Sequence, residues 1–178
     1  YEQPEDKELG FTALVTEDQR YLVLAVYRGT DSRSGIYYRE LDSQGGFIRL
    51  FDVGEAMYSF LGSDDSTFYF LTDFAAPRRR IVAIALNQPG HAHWQELIPE
   101  QSGVIEDACL TGGRFVVSLM EHACSKLVLY TQLGEYVKEI ALPGLGSVSS
   151  ISGKASHQEF FFLFTSYTYP SQPFYYDF

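Results

Sequence analysis

The chain has 178 residues, of which 46% are hydrophobic, 16% aromatic and 20% charged, a balance that excludes a disordered tail, a coiled coil and collagen. Its formal charge of -10 repels nucleic acid and anionic membrane surfaces at long range. The length suits one domain with a substantial core.

From the N-terminus, the segment Tyr1 to Leu9 is acidic and lacks the basic-then-apolar pattern of a secretory signal. Beyond it, apolar runs of four to eight residues alternate with Gly, Asp, Ser and Asn clusters, and almost nothing recurs at helical spacing. The strongest runs are Tyr21 to Tyr27, Phe68 to Leu71, Phe115 to Leu119 and Phe160 to Phe164, which begin 47, 47 and 45 residues apart. A second series begins at Ile36, Ile81, Leu127 and Phe174, and a more polar third at Phe47, Trp94 and Tyr136. Short segments at Thr12 to Val15, Ser59 to Leu61, Ala108 to Leu110 and Ser150 to Ile151 precede turn-forming residues and supply first strands.

A four-stranded meander repeating at ~45 residues predicts β-propeller blades, whereas an immunoglobulin-like sandwich would repeat at ~100. The expected fold is therefore all-β, a partial β-propeller of about four four-stranded antiparallel blades in a single domain 1–178, with units near 9–53, 54–103, 104–145 and 146–178. The last unit lacks a fourth strand. Four units also fall short of a comfortably closed ring, so further blades are expected outside this sequence. Phe160 to Phe164 is apolar at consecutive positions, which requires a covered surface on both faces of its sheet. Aromatics such as Phe68, Phe70, Phe160 and Phe162 are expected to line the two end faces of the blade stack and to favour self-association there.

No G-x-S-x-G turn occurs, and Gly146-Ser147-Val148-Ser149-Ser150, the nearest approach, reads as a strand-end loop, so no catalytic residue is assigned. His91 and His93 form an H-x-H that would put both imidazoles on one face of a strand, but it follows the turn Asn87 to Gly90 with no third ligand nearby. It reads as a solvated hairpin loop, as do the isolated His122 and His157. Arg78-Arg79-Arg80 reads as a solvated or salt-bridged strand edge. Cys109 and Cys124 fall in neighbouring strands of one unit, where a disulfide is geometrically conceivable. Two cysteines and no C-x-x-C fit a reducing compartment and no structural zinc, and no apolar run reaches the ~20 residues of a membrane helix.

Three stretches resemble one known family: Glu17-Asp18-Gln19-Arg20-Tyr21-Leu22-Val23-Leu24 entering Gly29-Thr30-Asp31, then Trp94-Gln95-Glu96-Leu97-Ile98-Pro99-Glu100 with Val104-Ile105-Glu106, then Phe164-Thr165-Ser166-Tyr167 with Pro170 and Tyr175-Tyr176-Asp177. In order and spacing they are similar to the seven-bladed propeller of prolyl oligopeptidase, a serine peptidase of α/β-hydrolase fold. The resemblance implies free thiols, no cofactor and no metal. It also implies a cytoplasmic protein, with the periplasm as alternative, and a non-catalytic role: gating short proline-containing peptides into a peptidase domain absent from this chain. An arginine before the family's G-x-D loop reaches substrate; here Tyr27 stands at that position and Arg28 one residue later, so these two are the substrate-proximal candidates. The competing reading is a stand-alone propeller that binds a protein or peptide partner.

Overall fold

The structure, a computed structural model, describes residues 6–178; of the acidic segment Tyr1 to Leu9, residues 1–5 lie outside the described residues. Among the described residues, fifteen strands run in chain order. Blade 1 comprises β1 (Leu9–Val15), β2 (Tyr21–Arg28), β3 (Ser34–Glu40) and β4 (Ile48–Phe51). Blade 2 comprises β5 (Tyr58–Asp64), β6 (Thr67–Thr72), β7 (Arg80–Ala85) and β8 (Gln95–Ile98). Blade 3 comprises β9 (Val104–Thr111), β10 (Arg114–Glu121), β11 (Cys124–Thr131) and β12 (Tyr136–Ile140). Blade 4 has three strands, β13 (Ser147–Gly153), β14 (Glu159–Thr165) and β15 (Gln172–Asp177). Within each blade every strand pairs antiparallel with its sequence neighbour, giving the expected all-β arc of meanders with the last blade short of its outer strand.

The first strands are longer than their apolar residues suggest. They carry Gly, Ser, Thr and Asp, and three of them are bulged, at Phe60/Gly62, Ile105/Asp107 and Ser149/Ser152, which erases the alternation that reveals a strand in sequence. Backbone pairing with the apolar second strand nonetheless holds them; β1, for example, pairs from Leu9↔Arg28 to Val15↔Leu22.

Consecutive apolar residues serve two neighbours. Phe68 and Phe70 join Tyr21, Val23, Ile36 and Tyr38 in the core between blades 1 and 2. The intervening Tyr69, with Leu71, faces Phe115 and Val117 in the core between blades 2 and 3. Val116, Leu127 and Leu129 face Phe160, Phe162 and Phe164 in the third core.

That parity corrects the expected end faces. Phe68, Phe70 and Phe160 are 0% exposed and Phe162 4%, because the first two belong to an inner blade and the others point to blade 3. The free face of blade 4 instead presents Phe161 and Tyr175, 46% and 55% exposed, with ring centroids 5.4 Å apart.

The arginine run is tied down rather than free. Nη1 of Arg78 donates to the carbonyls of Gln101 (3.1 Å) and Ser102 (2.9 Å), and Nη1 of Arg79 to those of Ile105 (3.1 Å) and Glu106 (3.0 Å). Arg80 pairs with Glu96 at 2.9 Å. Arg78 thus lashes the β6–β7 loop to the linker between blades 2 and 3, and Arg79 lashes it to the start of β9. Cys109 and Cys124 are free: β10 separates β9 from β11, and the two cysteines pair with Val116 and Glu121 of that strand, so two strand spacings and an offset of five residues put them roughly 19 Å apart rather than side by side in neighbouring strands.

Candidate functional site

An antiparallel meander sends its connections alternately to two faces. The β2–β3, β6–β7, β10–β11 and β14–β15 turns share one face with the linkers between blades, here the linker face. The β1–β2, β5–β6, β9–β10 and β13–β14 turns share the other, the turn face.

Tyr27 and Arg28 end β2 on the linker face and, as successive residues of a strand, leave it on opposite sides. The Tyr27 ring lies across Gly10, its cross-strand partner; a Cβ there would sit 2.4 Å from Tyr27 Cε2, so only glycine admits the ring. Arg28 is occupied by two carboxylates, Glu8 at 2.8 Å and Asp6, and hydrogen bonding to Asp6 and then Glu8 raises its pKa. Beyond the strand, Arg33 grips Asp31 side-on, with Nη2 to Oδ2 at 2.6 Å. The hydrogen bonds from the Arg33 side chain and backbone lower the Asp31 carboxyl to about 2.

Next to it, blade 2 builds an aromatic cluster that sequence reading missed. The β7–β8 connection leaves from the turn face and folds back along the rim, and His91–His93 form a 3-10 turn rather than an extended H-x-H. With three residues per turn, the two imidazoles do not share a face. His91 stacks on Phe74 of the β6–β7 loop and sets Nε2 3.4 Å from Glu55 Oε1 in the linker between blades 1 and 2. Glu55 also accepts the Tyr58 hydroxyl at 2.9 Å, and burial drives the Tyr58 phenol strongly upward. Trp94 completes the group edge-on to Phe51 and Tyr58, its indole N–H donating to Pro89 O at 2.9 Å. Among the described residues no group of His, Cys, Asp and Glu is arranged to hold a metal.

Between blades 3 and 4 the same face opens into a cavity of about 420 Å³ lined by Ala123, Cys124, Leu145, Ser147, Thr165 and Tyr167, among others. Leu145 and Tyr167 are largely exposed at its mouth. Ser147 opens β13, paired with Thr165 in an antiparallel ladder, whereas a nucleophile elbow needs a strand-to-helix turn. His122 forms the β10–β11 turn with Ala123, both at positive φ, and His157 lies on the turn face. The linker face therefore gathers Tyr27, Arg28, the His91 cluster and the Tyr167 cavity. The only advance hint of the last was the run of tyrosines around Pro170.

The model of the prolyl oligopeptidase N-terminal β-propeller domain matches residues 1–178. The chain is 30% identical over 165 residues to a prolyl endopeptidase of Elizabethkingia meningoseptica, covering 93% of this chain and 23% of that one. Against the prolyl endopeptidase of Elizabethkingia miricola it is 31% identical over 156 residues, covering 88% and 22%. A solved structure from a study of two prolyl endopeptidases superposes with a TM-score of 0.86 at 25% identity over 98% of this chain and 26% of its own. Prolyl oligopeptidase B of Galerina marginata shares the fold with a TM-score of 0.89 at 22% identity, covering 99% and 26%. The chain thus spans about a quarter of the length of these relatives. With a meander repeat, an arc of blades and a full-length family match all in agreement, the chain belongs to the prolyl oligopeptidase family and falls within its N-terminal β-propeller domain.

Proposed function

We propose that this chain is the non-catalytic propeller part of a serine-type prolyl endopeptidase, and that it screens short proline-containing peptides on their way to a peptidase domain of the same protein. The family match over all 178 residues carries this reading. The linker face is the side offered to substrate, with Tyr27 and Arg28 as the substrate-proximal residues of blade 1 and the Tyr167 cavity as an apolar surface suited to peptide contact. The compartment proposed is the cytoplasm. The test is the longer protein: its reading frame should contain G-x-S-x-G followed by Asp and His, and it should cleave proline-containing peptides that the isolated chain leaves intact. Turnover by the isolated chain, freed of contaminating peptidase, would overturn the reading.

A second reading has its own support in the exposed Phe161–Tyr175 pair on the free face of blade 4. In isolation this face would bind a second copy or a protein partner, making the chain an interaction module. Light scattering decides for the isolated chain: a mass above 20.1 kDa that falls when Phe161→Ser is introduced supports it, and a monomer at high concentration rejects it.

A further inference from the structure

The blade 4 turn Lys154 to His157, closed by the His157 N–H donating to Lys154 O at 3.0 Å, reaches all three other blades. Blade 3 seats its base. Thr111 Oγ1 lies 2.9 Å from both Lys154 O and Glu159 O, which share its one hydroxyl proton, and Gly153 lies so close that a Cβ would stand 2.7 Å from that oxygen. Ala155 packs with Leu61 against the core of blades 2 and 3 and helps line a cavity of about 230 Å³ with Leu14 to Glu17 and Phe60 to Ser63. Blade 1 supplies the far attachment: Glu17 accepts the Ala155 N–H at 2.8 Å on one oxygen and the Ser156 N–H at 3.3 Å on the other.

The two amides belong to the central residues of a β-turn, whose N–H groups the turn itself leaves unpaired, and one carboxylate satisfies both. Glu17 is held for this by a rigid turn of its own, in which Thr16 Oγ1 accepts the Tyr21 N–H at 3.0 Å and the Gln19 N–H donates to Thr16 O at 2.8 Å. Beside the strap, on the innermost strand of blade 3, lies Cys109, its Sγ 3.8 Å from Gly153 O. Burial first, and the charges of Asp107 and Glu17 after it, lift its thiol to about 11.

We propose that the Lys154–His157 turn is a strap across the axial opening on the turn face and that Glu17 is its catch. Blades 1 and 4 are not neighbours in the arc, so this contact spans the axis; with it closed, the axial path is shut on the side opposite Tyr27 and Arg28. The strap itself does not depend on the peptidase reading. Its consequence does: peptides would have to approach from the linker face.

The experiment uses the chain carrying Cys124→Ser, so that Cys109 is the sole thiol, with Glu17→Ala and Glu17→Asp added separately. Asp keeps the charge and is one methylene too short to hold both amides. Both variants should accelerate thiol labelling of Cys109 several-fold and hydrogen exchange at Ala155 and Ser156 about tenfold. Unchanged exchange in Glu17→Ala would overturn the strap. So would faster labelling in Glu17→Ala alone, since that reports only the lost charge near the thiol. In the longer peptidase, a released strap should admit peptides through the axis and relax the size limit on substrates. An unaltered limit, with exchange and labelling shifted as expected, would count against the gating reading and leave the strap standing.

Discussion

The imidazole of His91 lies flat on the ring of Phe74, centroids 4.1 Å apart and planes within 11° of parallel, although the two residues reach each other from opposite ends of strand β7. The contact fixes the β6–β7 loop against the rim of the linker face. Stacked pairs contribute about 0.5–1.5 kcal/mol beyond their area. His91→Ala is therefore expected to cost about 1 kcal/mol in urea unfolding and to speed hydrogen exchange in the loop at Phe74 and Ala76. His91→Phe keeps the stack, loses Glu55, and should recover most of the loss.

Asp107, on the inner strand β9, accepts the Ile151 N–H at 3.3 Å, and burial raises its carboxyl above the ordinary value. Between the ordinary and the raised value, the folded chain keeps a proton that the unfolded chain has released, so stability falls as pH rises through that window. Asp107→Asn removes the charge and keeps an acceptor. It should raise Tm at neutral pH, and the gain should vanish in acid, where Asp107 is protonated in both states. A variant less stable than the parent at neutral pH would show that the charge is needed there.

Phe160 and Phe161 are sequence neighbours on opposite faces of β14. Phe160→Ala opens a cavity in the core of blades 3 and 4 and should cost about 3–5 kcal/mol. Phe161→Ala on the free face should stay within about 0.5 kcal/mol in dilute solution. Parallel denaturant titrations of the two variants separate them.

Arg79 joins blade 2 to blade 3 through one guanidinium nitrogen shared by two carbonyls, at the half-buried start of β9. Losing hydrogen bonds to a charged group costs about 1.5–3 kcal/mol. Arg79→Ala should approach that range, whereas Arg33→Ala, which removes an exposed pair with Asp31, should change Tm little. Thermal unfolding of both variants tests the contrast.

The sequence by itself determined the repeat, the strand type and the missing fourth strand of the last unit, because consecutive apolar residues at a 45- to 47-residue period leave few other ways to bury both faces of a sheet. It also determined the family, through strand-and-turn stretches whose order is local and readable. Only the tertiary structure decided which aromatics are interior, since Phe160 and Phe161 are indistinguishable in one dimension and are separated by which face has a neighbouring blade. Likewise His91 reads as an exposed loop residue until the β7–β8 connection folds back to set it on Phe74. Glu17 and Ala155 are 138 residues apart, and no local pattern encodes a contact that arises from the curvature of four stacked blades. Propensity and periodicity act over a few residues; which side chains meet across the axis is set by the packing angle between sheets.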